Sequence, residues 1–234
     1  MRARLAPLAL TGALLLAVSG CSGGDEESPA AADQTPEEVL ALAKSTLDET
    51  SGLQLTLSTD DLPDGVTGIL EASGVGTNAP AFEGSITVSL SGQAFEVPVV
   101  AVDGLVYAEL PLTSGYQEVD PGEYGAPDPA GLVSPESGFS SLLPETTGVE
   151  EGESIRGGAN NDEILTAYTG TVAGSVVENI IPGASGDFDA TYTVTEDGEL
   201  REAVLTGEFY AGEDSMTYTV GFDDYGTQQD ITAP

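Results

Sequence analysis

Histidine is absent from this chain of 234 residues, and cysteine occurs once. Histidine is the commonest general base near neutral pH and the commonest ligand of transition metals. Its absence excludes a Ser-His-Asp triad and a His-Glu-x-x-His zinc helix. A single cysteine excludes an internal disulfide and a paired-cysteine metal site. Positive charge is scarce as well: 5 Lys and Arg residues stand against 40 Asp and Glu, a formal net charge of −35. Such a chain repels nucleic-acid phosphates and anionic headgroups, so neither nucleic-acid binding nor electrostatic attachment to a membrane fits it. There is no Gly-x-x-x-x-Gly-Lys-Ser/Thr loop, and Gly74-Val75-Gly76 lacks the rest of a dinucleotide fingerprint. With so many carboxylates, no particular pair marks a glycosidase, and they read as solvated surface. The Asp60–Gly65 stretch lacks the alternating ligands of an EF-hand and reads as a turn. The expectation is a chain with no catalytic residue, no metal and no cofactor, and not an enzyme.

What is present begins near the amino terminus. Arg2 and Arg4 precede an uncharged run from Leu5 to Leu16, followed by small residues and then Val18-Ser19-Gly20-Cys21. A charged start, a short apolar stretch and small residues describe a secretory signal. The run is shorter than the roughly 20 apolar residues a bilayer span needs. The junction resembles a bacterial lipobox, which implies cleavage after residue 20, a diacylglyceryl thioether on Cys21 and an acyl group such as palmitate on the new amino terminus. The alternatives are an ordinary secretion signal with an incidental cysteine, or an uncleaved anchor. All 40 acidic residues follow Cys21, and only Lys44, Arg156 and Arg201 remain basic beyond it. Covalent lipids would therefore do the anchoring, and two or more chains give stable attachment where one does not. Residues 21–34 form the lipidated end and a polar tether rich in small residues, spanning about 20 Å on average.

The body, residues 35–234, reads as one domain of class α+β. Thr35, Pro36 and Glu38 make a capping box at the start of a helix. Val39, Leu40, Ala43 and Leu47 form its apolar stripe. From Leu53 the period becomes two, with strands expected at Leu53–Leu57, Gly68–Thr77, Ile86–Leu90, Phe95–Ala101 and Leu105–Leu110. Asp103-Gly104 is a hairpin signal. Prolines 121, 127, 129, 135 and 144 interrupt the rhythm around two short helical candidates, Ala130–Val133 and Glu136–Leu143. Strand signals return at Ile164–Val172, a short helix is expected at Ser175–Ile181, and a second meander runs through Phe188–Thr195, Leu200–Tyr210 and Met216–Phe222. The glycines of Gly68–Gly76 predict bends and empty volume beside the strand. A curved antiparallel sheet with helices on one face follows.

Three stretches are distinctive: Gly74-Val75-Gly76-Thr77 through Phe82-Glu83-Gly84; Val97-Pro98-Val99 through Asp103-Gly104-Leu105-Val106-Tyr107-Ala108; and Asp128-Pro129-Ala130-Gly131 with Pro135-Glu136-Ser137-Gly138. Together with the lipobox they resemble the actinobacterial (mycobacterial-type) lipoprotein family of LppX, LprA, LprF and LprG. That resemblance implies a half-barrel closed by helices around a large apolar cavity, similar to periplasmic lipoprotein carriers. It further implies a non-catalytic lipid-binding lipoprotein at the cell membrane, anchored on its extracytoplasmic face. Such a protein carries acylated lipid, of triacylglycerol or glycolipid type, between the plasma membrane and the outer cell envelope, with an envelope transporter as a possible partner. A monomer is expected. On this reading the cavity wall comprises Phe82, Ile86, Val88 and Leu90; Val97, Val99 and Ala101; and Val106, Ala108 and Leu110, with Val176, Val177, Ile180 and Ile181 in a lid. The same side chains, one by one, also suit a solid core. The competing function is an extracytoplasmic module that binds an envelope transporter without lipid cargo.

Overall fold

A computed structural model describes residues 34–234 apart from Gly125 and Ala159, so Cys21 and the stretch before Gln34 lie outside the described residues. Helix α1, Pro36–Glu49, opens the body. The Thr35 hydroxyl accepts from the Glu38 amide at 3.3 Å, and the Thr35 amide donates to the Glu38 carboxylate at 2.8 Å. Each bond satisfies a group that the first helical turn leaves open. Val39, Leu40, Ala43 and Leu47 are buried, as their spacing requires.

Eleven strands follow: β1 Gly52–Ser58, β2 Gly68–Thr77, β3 Ala81–Leu90, β4 Gln93–Val102, β5 Leu105–Ala108, β6 Gln117–Val119, β7 Thr147–Gly157, β8 Glu163–Ala173, β9 Ser185–Thr195, β10 Leu200–Glu208 and β11 Met216–Asp223. They form one sheet in the order β6-β5-β4-β3-β2-β1-β11-β10-β9-β8-β7, and all neighbours are antiparallel. The chain thus runs from the centre to one edge, crosses to the far edge, and returns to the centre. Alternate residues of β9, β10 and β11 are buried, including Phe188, Tyr192, Leu205, Tyr218 and Phe222. They join Leu53, Phe82, Val99 and α1 in one core cluster. With so little helix beside it, a sheet this wide encloses a core by curling round it. This is the half-barrel that the family resemblance implies.

Residues 120–146 make the crossing between the edges. They contain three 3-10 segments, Pro121–Tyr124, Pro129–Val133 and Phe139–Glu145. The helical candidates at 130–133 and 136–143 are therefore tighter and shifted, because prolines lack the N–H that an α-helical ladder needs. The expected helix Ser175–Ile181 is a four-residue α2, Gly174–Val177, whose turn continues to Ile181. Strand β5 stops at Ala108 instead of Leu110.

The glycines of β2 differ most from expectation. Gly74 and Gly84 are paired across β2 and β3. A Cβ on Gly74 would lie 2.6 Å from the Phe82 ring and 2.7 Å from the Gly84 Cα, and one on Gly76 would lie 2.9 Å from Val133. The space these glycines leave is filled by a ring and by the crossing segment. Glycine here permits close approach rather than a void.

Beyond β11 the chain packs on the other face of the sheet. Ile231 is buried against Ala81 and Val100 there. The Gln229 amide donates to Glu83 at 2.6 Å.

Candidate functional site

Two adjoining apolar chambers lie between the inner face of the sheet and the crossing segment. The inner chamber is lined by Leu55, Leu57, Ile69, Ala72, Phe82, Ile86, Val220 and Phe222, with Pro127, Pro129, Leu132 and Phe139 above; Thr56 borders it too, with its hydroxyl on the opposite face beside Gly221. The outer chamber is lined by Ile86, Val88, Leu90, Phe95, Val97, Val99, Val106, Ala108, Leu110, Pro111 and Val119, with Pro121, Ala126, Pro127 and Pro129 above. No side chain of this second lining carries nitrogen or oxygen. Ile86, Pro127 and Pro129 belong to both linings, so they form the ridge between the chambers. The cavity volumes are about 60 and 90 Å³. Pockets for drug-sized ligands measure about 300–1,000 Å³, so this conformation is a narrow groove.

Strand register explains the wall. Ile86 pairs with Val97 and Ala72, and Val88 with Phe95. Ala101 pairs with Val106, and Val99 with Ala108. The pleat sends all of these to one face, while Thr87, Glu96 and Pro98 point to the other. Phe82, Ile86, Val88, Leu90, Val97, Val99, Val106, Ala108 and Leu110 therefore sit along the two chambers. Ala101 is on the same face and fully buried, but lines neither chamber.

Val176, Val177, Ile180 and Ile181 also line neither chamber. Val177 and Ile180 are buried in the core, with Val176 and Ile181 packed against it, around α2 beside β8 and β9. The cover is instead Pro121–Phe139. The sequence marked that stretch by its prolines, and the reason is physical: a proline offers carbon to an apolar space and has no amide proton to leave unpaired. Prediction of a roof from helical periodicity passes over such a segment.

The cover is held unevenly. At its far end, Lys44 of α1 donates to Asp48 at 2.6 Å, to the Pro135 carbonyl at 3.2 Å and to the Ser140 hydroxyl at 3.4 Å. Ser140 donates to the other Asp48 oxygen at 2.5 Å. Phe139 meets Phe222 with ring centroids 5.1 Å apart. Nearby, Thr146 and Tyr192 share a buried hydrogen bond of 3.0 Å; burial pushes the Tyr192 hydroxyl up to about 12, and the bond to Thr146 pulls the other way. Among the described residues, 121–133 hydrogen-bond only within 120–134, as in Asp128 with Ala130 and Gly131 with Ser134. That stretch is therefore a strap, held down by apolar contact between β6 of the sheet on one side and the Lys44–Asp48–Ser140 anchor on the other.

The rest of the inner face is kept free of open polar groups. The Tyr218 hydroxyl donates to the Ile69 carbonyl at 2.7 Å, so Tyr210 is the donor in its 3.0 Å bond to Tyr218. Burial first, then the neighbouring Tyr210 oxygen, raises the Tyr218 hydroxyl far above its ordinary value. No carboxylate lines either chamber. The arrangement can hold hydrocarbon; it offers no charged group to recognise a headgroup inside.

A family model described as LppX_LprAFG lipoprotein matches residues 35–232. The chain is 27% identical over 231 residues to the lipoarabinomannan carrier protein LprG of Mycolicibacterium hassiacum, covering 96% of this chain and 94% of that one. It is 26% identical over 206 residues to the LprG of Mycobacterium tuberculosis, covering 86% and 83%. Among solved structures, LprF from Mycobacterium bovis superposes with a TM-score of 0.66 at 12% identity, over 85% of this chain and 96% of that one. LppX from M. tuberculosis gives 0.61 at 14% identity, over 84% and 98%. These two likenesses establish the fold.

Proposed function

Because this chain belongs to the LppX_LprAFG lipoprotein family, we propose that it is a non-catalytic, membrane-anchored lipoprotein that carries acylated lipids between the plasma membrane and the outer envelope. The observation that carries the reading is the outer chamber, whose lining has no polar side chain and which is roofed by a stretch, 121–133, with no described hydrogen bond to the sheet along its length. Burying one CH₂ is worth about 0.8 kcal/mol, so a long acyl chain in water is strongly driven into such a groove. The narrow volume implies that cargo enters by lifting the 121–133 strap, which breaks apolar contacts and none of the described hydrogen bonds to the sheet. The relatives named as lipoarabinomannan carriers support a lipid-carrying role. The net charge of −35 disfavours a strongly anionic headgroup. Cys21 supplies the anchor, with residues 1–20 removed and residues 21–34 as tether, on the extracytoplasmic face of the cell membrane.

The test is mass spectrometry of organic extracts from the purified protein, against a matched membrane blank and an Ile86→Trp variant. Intact long-chain lipid, enriched in the wild type and lost in the variant, is the expected result. No enrichment would leave a module that binds an envelope transporter without cargo. Lipid recovered hydrolysed in proportion to protein would indicate an enzyme.

A further inference from the structure

Leu112 is fully exposed, with a relative accessibility of 107%. The other large apolar side chains exposed among the described residues are Leu105 at 40% and Ile155 at 59%. Leu112 occupies the third position of a turn in which the Thr113 amide donates to the Leu110 carbonyl at 3.2 Å, with Pro111 second. Its φ is +71°. That position of a proline turn ordinarily takes glycine, for which positive φ costs nothing. Backbone preference and solvent both argue for a small residue here, and the chain has leucine.

The surroundings give that leucine a use. Leu110 and Pro111 line the outer chamber beside Leu90 and Phe95, so Leu112 stands at its mouth. The β3–β4 hairpin and the β5–β6 loop reach the same end of the sheet, because β4 pairs antiparallel with both β3 and β5. Residues 84–95 carry no charge, and neither do residues 110–117. Glu96 of β4 and Glu109, just past β5, flank the two tips, and both are exposed. Elsewhere the loops are acidic, with Asp60, Asp61 and Asp64 after β1 and Glu213 and Asp214 before β11. The short β2–β3 turn is uncharged too, but its Asn78, Ala79 and Pro80 carry no large apolar side chain. A chain with a net charge of −35 thus has a charge-free rim, carrying one exposed leucine, where its groove opens.

From this we infer that the β3–β4 and β5–β6 tips dock on a lipid bilayer, with Leu112 inserted at the level of the acyl chains. A neutral tip avoids the headgroup repulsion that the rest of the surface meets, and a leucine gains free energy by leaving water. Docked so, the outer chamber faces the membrane interior, and an acyl chain moves between bilayer and groove without crossing water. The path depends on the carrier reading above; the docking itself does not.

The chain has no tryptophan, so Leu112→Trp places a single reporter at the tip and Leu105→Trp places one at the opposite end of β5. Each intact variant is mixed with vesicles of phosphatidylcholine brominated along its acyl chains. Quenching and a blue shift at position 112, with neither at 105, is the expected result. Absence of quenching at 112, or equal quenching at both positions, overturns the docking. So does a blue shift that follows protein concentration rather than vesicles, since that assigns the tip to a second copy of the chain. In parallel, Leu112→Asp should slow uptake of a fluorescent long-chain lipid from vesicles and leave uptake from solvent-dispersed lipid unchanged. Failure of uptake by the wild type from both sources would refute the carrier reading while the quenching result still decides the docking.

Discussion

Gly74 and Gly84 stand directly opposite each other on β2 and β3, so close that a Cβ on Gly84 would lie 2.6 Å from the Gly74 Cα. The Phe82 ring covers the pair. The obstruction is backbone, which cannot swing aside as a long side chain can. Gly84→Ala should cost about 1–3 kcal/mol, as overpacking a filled core does. Thermal melts should show a fall of about 2–4 °C per kcal/mol for a chain of this size. Gly131→Ala, whose new methyl meets nothing closer than 4.0 Å, should leave the melt unchanged.

Ile86 stands between two chambers rather than in solid packing. Ile86→Trp should therefore fill groove volume, keep the melting temperature near that of the wild type and abolish lipid uptake. Measuring both on one sample separates the outcomes. A large fall in melting temperature with uptake retained would mean that the groove is core.

Arg201 clamps Glu163 with two hydrogen bonds, at 3.1 and 2.6 Å, and reaches Glu199 at 2.7 Å. The Arg201 hydrogen bonds hold the Glu163 carboxyl below its ordinary value, against a smaller opposing effect of burial. A depressed folded value means that the pair's contribution is complete above the ordinary carboxylate range and is lost as pH falls through the depressed value. Both side chains keep some exposure, so the contribution at pH 7 is about 0.2–1 kcal/mol. Glu163→Gln should lower stability slightly at pH 7 and narrow its difference from the wild type as the pH is taken below 4, both followed by denaturant melts at one salt concentration. A difference that stays constant with pH would rule out the pair as its source.

The proposed lipid anchor rests on Cys21. Cys21→Ala should yield either a soluble protein or an uncleaved precursor, read by fractionation and intact mass. A variant still processed after residue 20 and still sedimenting with membranes would remove the lipid anchor from the account.

Salt should stabilise this chain more than most. Its self-repulsion at −35 is screened over about 10 Å at 0.1 M ionic strength. Raising sodium chloride from low to moderate concentration should raise the melting temperature, and a fall would place the dominant charge effect in attractive pairs instead.

The parts of the fold legible in the sequence were those where one face meets the core. Capping-box residues and an apolar stripe gave α1, and clean alternation gave β4, β9 and β11. Strand β7 was not legible because little beyond Val149 is covered. Thr147–Gly157 is almost wholly exposed, carries Glu150, Glu151 and Glu153, and is held by its pairing with β8 through two irregularities in register. Charge and bulges of that kind protect an edge from further pairing, and they erase the alternation. Which side chains share the inner face of β3, β4 and β5 was legible because register and pleat decide it. The roof was not, because α2 carries the denser apolar run while the cover is proline-rich, and only tertiary placement decides which of the two lies over the sheet.

The seam between β1 and β11, where Leu55 meets Phe222, has a consequence for biogenesis. The middle of the finished sheet is made from its first and last strands. A chain delivered amino end first can lay down β1 to β6 as it emerges, yet one side of β1 stays unpaired until residue 223 arrives. Pairings of such sequence separation form slowly, and an open apolar strand invites wrong partners meanwhile. The central seam of the folded sheet is thus among the last to form, and the newly made chain is open to wrong partners at what becomes the middle of the mature sheet.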